Sequence, residues 1–123
     1  MKMKHNFKNL EIWKRGMALA GEVYKLSEIF PGEEKFGLTA QIRRSAVSIP
    51  SNIAEGCGRG TTKQMSLFVD IAVGSSCELE TQIYLATDLL HIDKTESEKI
   101  ISKIEEVRKM MIGFQKSLRT KGI

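Results

Sequence analysis

Cysteine, proline and histidine are all scarce in this chain. Its two cysteines, Cys57 and Cys77, follow neither metal-ligand nor redox-motif spacing. They exclude a disulfide framework and suit a reducing, cytoplasmic setting. Its two prolines, Pro31 and Pro50, leave long tracts free to form helix. Its two histidines, His5 and His91, are too few for a histidine-rich metal centre or an activated nucleophile. No apolar run approaches the roughly 20 residues of a membrane span. The opening MKMKHNFKNL is basic but lacks the apolar core of a secretion signal. No segment alternates in polarity at the period of a strand.

What is present is helical periodicity. The 123 residues form one domain, long enough to bury a core without staples. The spacing predicts four helices over about 9–30, 35–55, 62–90 and 95–119. In the first, Leu10, Trp13, Met17, Ala20, Tyr24 and Ser27 trace the inner face, with Ile12, Leu19, Val23, Leu26 and Phe30 widening it. The second carries Leu38, Ile42, Ala46, Ile49 and Ile53 in one register that passes through Pro50. One helix kinked at the proline is therefore expected, broken by Gly56, Gly58 and Gly60. Thr61 to Gln64 is a capping box for the third helix, and Thr95 to Glu98 or Asp93 to Glu96 for the fourth. Short connections make an antiparallel up-down-up-down four-helix bundle, all-α.

Two features exceed what a lone bundle needs. The third helix is apolar on two sides, with Leu67, Ile71, Gly74, Leu85 and Leu89 forming a second face beside the core stripe. A small bundle buries one face per helix, so the second is most simply covered by another copy. The second helix carries polar groups suited to fixed hydrogen bonds beside its core stripe: Gln41, Arg44, Ser48, Asn52 and Glu55. With Glu78 and Gln82 of the third helix they form a candidate polar network fixing packing or subunit register, with Arg44 or Arg43 as the partner of Glu78.

Charge is unevenly placed. Residues 1–15 hold five Lys/Arg against one Glu, and residues 108–123 hold five Lys/Arg and no acid, whereas the whole chain carries only +4. In the expected topology the start of helix 1, the helix 2–3 turn and the end of helix 4 share one pole. That pole collects Lys8, Lys14, Arg15, Arg59, Lys63, Lys116, Arg119 and Lys121, a candidate RNA or DNA surface. The glycine-rich turn with Arg59 and Lys63 is a weaker phosphate-cradle candidate, for no strand precedes it. Asp88-x-x-His91 is half of a di-iron pattern whose other ligands are missing. Glu78 and Glu80, two residues apart, point to different helix faces. No catalytic residue, metal or cofactor is expected.

FKNLEIWKRGMAL (7–19), FPGEEKFGLTAQIRRSAVSIPSNIAEG (30–56) and IAVGSSCELETQIYLA (71–86) together resemble the 23S ribosomal RNA intervening-sequence protein family. The most specific parts are residues 41–56 and 74–82. The resemblance implies a bundle assembled into a homopentameric ring, with no established catalytic residues. It also implies kinship with accessory proteins of diversity-generating retroelements, which contact nucleic acid and a reverse transcriptase. The expectation is a non-enzymatic bacterial protein binding RNA or DNA through the basic pole of a ring. The alternative is a protein-interaction adaptor.

Overall fold

A computed structural model describes residues 6–122, with side chains to residue 120. Among the described residues there are four α-helices and no extended strand: α1 (Glu11–Ser27), α2 (Leu38–Arg59), α3 (Thr62–Asp88) and α4 (Lys94–Gly122). A 3-10 turn, Phe7–Asn9, precedes α1, and another, Gly32–Glu34, precedes α2. The helices run up-down-up-down. α1 and α3 each pack on α2 and α4, and the diagonal pairs stay apart among the described residues. The section is therefore a square with four grooves between neighbouring helices.

Local chemistry sets the boundaries. α1 stops at Ser27, short of Pro31-Gly32. α2 runs past the predicted break and takes in Gly56 and Gly58, ending where Gly60 adopts φ 84°. Of the three glycines, Gly60 alone has the left-handed backbone of a helix C-cap. Thr61 accepts from the Gln64 amide to open α3, and Asp93 accepts from the Glu96 amide to open α4. The second of the two proposed caps for the last helix is the one used. α2 stays helical through Pro50, which is buried.

The core joins Leu19 and Val23 of α1, Ile42, Ile49 and Ile53 of α2, Met65, Leu79 and Ile83 of α3, and Ile104 and Met111 of α4. α1 departs from expectation in part. Ala20 and Ser27 of the expected line are buried, with Ile12, Leu19 and Val23 beside it, but Gly16 joins them while Trp13 is half-buried and Met17 and Tyr24 are exposed. The reason lies at Gly16, where an added Cβ would meet Ile49 at 3.3 Å and Pro50 at 3.5 Å. The missing side chain lets α1 press on α2 through its glycine, which rotates Met17 and Tyr24 outwards.

Candidate interaction surfaces

Two of the four grooves are bridged by polar pairs, and the α1–α4 groove still holds a polar cleft of about 330 Å³ lined by Glu22, Lys25, Glu96, Lys99 and Lys103. Across α1–α4, Arg15 pairs with Glu106, and Lys103 with Glu22 at 2.6 Å. Across α3–α4, Arg108 donates to Glu80 Oε1 at 2.5 Å and to Ser76 Oγ at 2.9 Å. Gln115 bonds Asp70 Oδ1 at 2.6 Å in the same groove. Burial works against the Arg108 charge, but the hydrogen bond and nearby charge of Glu80 outweigh it and raise the guanidinium pKa. Tyr84 also donates to Glu80, and that bond raises the phenol pKa.

The other two sides expose more apolar surface. Between α1 and α2, Trp13, Met17, Tyr24, Val47 and Ala54 line a groove of about 400 Å³. Met17, Tyr24 and Val47 are each nearly half exposed there. The α2–α3 side joins the two faces predicted separately. Leu67, Ile71, Leu85 and Leu89 stand about half exposed along α3, with Gly74 and Glu78 exposed between them. Gln41, Arg44 and Glu55 are exposed along the facing edge of α2, and Asn52 is half-buried.

The seam between these edges is polar, but Glu78 is not its centre. Ser48 and Ser75 hydroxyls lie 2.8 Å apart, and Asn52 donates to Ser48 Oγ at 2.9 Å. The antiparallel register they set brings Arg44 opposite Glu78, yet the two make no ion pair among the described residues. Arg43 turns the other way, donating to Ser27 Oγ at 2.8 Å and lying over the Tyr24 ring. Within one chain, then, the expected Glu78–arginine network is replaced by Ser48, Asn52 and Ser75, because Glu78 still reaches water. Gln82 is the buried member of the set, and its Oε1 has no hydrogen-bond partner.

The basic residues do gather at one end, but several are spent locally. Lys14 pairs with Glu11, Arg15 with Glu106, and Arg59 with Glu55 at 2.9 Å. Arg59 also lies over the Phe68 ring at 5.1 Å. Lys8, Lys63, Lys116 and Arg119 are exposed and carry no ion pair among the described residues. Lys2, Lys4, His5 and the Lys121 side chain lie outside the described residues. No phosphate cradle forms at the glycines. Gly56 is buried against Met65, and Gly58 sits inside α2.

At the opposite end His91 serves structure. Its Nε2 lies 2.9 Å from Glu34 Oε2, and its ring packs on Phe30. No group of three or more His, Cys, Asp and Glu among the described residues is placed to hold a metal ion. Burial pushes the Cys57 thiol pKa up, away from nucleophilic character. No helix among the described residues is long and apolar enough to cross a membrane.

Ser48 stands in the polar stripe legible in the sequence, but its partner Ser75 and the Arg108–Glu80 pair do not. Small polar residues beside a core stripe were the available signal, and helix rotation was needed to match them.

The fold is shared with a crystal structure of a Bacteroides thetaiotaomicron protein of unknown function from the S23 ribosomal protein family. That chain matches at TM-score 0.79 and 24% identity, over 85% of this chain and 95% of its own. No curated protein matches. The family model described as 23S rRNA-intervening sequence protein matches residues 8–113, which takes in α1 to α3, most of α4 and both of the most specific parts, 41–56 and 74–82. The chain belongs to the 23S rRNA-intervening sequence protein family.

Proposed function

We propose that this protein is a non-enzymatic, cytoplasmic ring oligomer that binds RNA or DNA through its basic pole. The carrying observation is the clustering of Lys8, Lys63, Lys116 and Arg119 at one end, exposed and without ion pairs among the described residues. A cation not neutralised within the chain is free to displace counterions from a phosphate backbone. The test is an electrophoretic shift with a structured RNA and a duplex DNA across a salt series. Replacing all four residues with Ala should lower the log–log salt slope by about 3 to 4. An unchanged slope refutes the basic-pole reading.

The ring reading is supported by the two apolar sides. They are unlike each other, so a contact that seats α2–α3 of one copy on α1–α2 of the next covers both at once. That contact is heterologous, and it makes a ring where the rotation between copies closes. The two sides share α2. In that arrangement α2 faces the central channel, and parallel subunits gather their basic poles on one rim. Gly74 supports close approach, because it lies mid-helix with nothing within 4 Å of an added Cβ. A pentamer has a light-scattering mass of about 69 kDa, five times the 13.8 kDa chain. The adaptor reading draws on the same grooves. It is favoured if the protein is monomeric and the four-fold Ala variant leaves nucleic-acid affinity unchanged.

A further inference from the structure

Three of the most exposed large apolar side chains belong to the two connections at the pole opposite the basic one. Ile29 is 73% exposed, Phe36 90% and Leu90 89%. Each is within two residues of a tight contact between the two loops, in which Phe30 packs on His91 and His91 meets Glu34. The knobs therefore rise from two connections braced against each other. Leu90 is also the only non-glycine among the described residues with positive φ, at 63°. It ends α3 where glycine fits best, with the Leu90 amide bonded to Thr87 O and the His91 amide to Ala86 O. A leucine there is strained and touches little of its own chain, so neither its backbone nor its packing rewards the isolated fold.

The surrounding charge says what fits. Segments 28–36 and 88–96 hold six carboxylates against two lysines. An anionic lipid surface would be repelled. A second copy's basic pole supplies cations, but the large exposed hydrophobics nearest it among the described residues, Leu67 and Ile112, lie on different helices along the sides of the bundle and not at its tip. We propose that Ile29, Phe36 and Leu90 form a docking tip for a basic amphipathic segment of a partner protein, with the apolar knobs as anchors and the carboxylates as its rim. The tip exists in a single chain, so it stands whether or not the ring and nucleic-acid readings hold.

The test uses an amphipathic Leu/Lys helical peptide of about 18 residues and its Leu/Glu counterpart. Binding to the full chain is followed by fluorescence anisotropy and by amide shift mapping. The Lys peptide should bind at micromolar to submillimolar concentration, the Glu peptide should not, and shifts should centre on 28–36 and 88–96. Phe36→Ser should weaken binding about fivefold or more without moving Tm. Leu90→Gly should weaken binding while raising Tm by about 4 °C, because glycine relieves the left-handed backbone. That opposite movement separates a docking role from simple damage to the fold. No binding of the Lys peptide up to about 1 mM overturns the proposal. So does equal binding of both peptides, or wild-type affinity in both variants. End-to-end association of the protein alone that Phe36→Ser abolishes would make the occupant a second copy and overturn it too.

Discussion

Glu34 ties two loops to one helix end. Its Oε2 lies 2.9 Å from His91 Nε2, and its Oε1 accepts from the Leu38 amide at 3.2 Å. One carboxylate thus braces the α1–α2 connection against the α3–α4 turn while capping α2. Negative charge at a helix N-terminus is favoured by the exposed amides there.

The first prediction follows from that carboxylate. The His91 hydrogen bond and then the Leu38 amide hold the Glu34 pKa below its ordinary 4.5. A depressed folded-state pKa means that the contribution is fully present above the unfolded value and is lost as pH falls through the folded one. Glu34→Gln should lower Tm at pH 7, and the gap to wild type should close on acidification below about pH 4. Thermal melts across pH 3–7 check this; a gap independent of pH would detach the effect from ionisation.

Gly56 and Gly58 should respond in opposite directions to alanine. At Gly56 an added Cβ would sit 2.9 Å from Met65 Sδ and 3.3 Å from Met65 Cα, the latter being backbone that cannot swing away. Gly56→Ala should cost about 1–3 kcal/mol by overpacking the α2–α3 crossing. Gly58 has nothing within 4 Å, so Gly58→Ala should stabilise by about 0.5–1 kcal/mol through helix propensity. Urea titration of both variants reads the sign.

Arg108 joins α3 to α4 from a site where it and Glu80 are only about a fifth exposed. Arg108→Ala removes the charged donor of Glu80, which keeps only the Tyr84 hydroxyl, and the donor to Ser76, and should cost about 2 kcal/mol. Arg108→Lys should recover part of this, since an ammonium cannot reproduce the forked contact. Equal stabilities for all three proteins in urea would remove the pair from the account of α4 docking.

Assembly makes the last prediction. Ile71→Glu and Leu85→Glu place charge on half-exposed positions of α3, where an isolated chain should lose at most about 0.5 kcal/mol. Both should nevertheless shift a ring toward the 13.8 kDa chain in light scattering. Gly74→Ala should do the same while leaving the separated chain as stable or more so. Variants that keep the wild-type mass would place the contact elsewhere.

Helix number and order follow from periodicity and punctuation in the chain itself. Ile42, Ala46, Ile49 and Ile53 carry one register through Pro50, and Thr61 and Asp93 announce the next two helices. These signals act within a turn or two of backbone, so they survive without knowledge of neighbours. Rotation and pairing do not. Whether α1 buries Met17 or Gly16 depends on how closely α2 approaches. Whether Arg59 is free depends on Glu55 one turn earlier in α2, and its stacking on Phe68 depends on how α3 packs. His91 finds Glu34 only when two loops separated by 57 positions meet. Tertiary packing alone decided which grooves were bridged by ion pairs and which were left apolar. Side-chain pairing across helices is fixed by their relative rotation, a quantity that no single helix encodes.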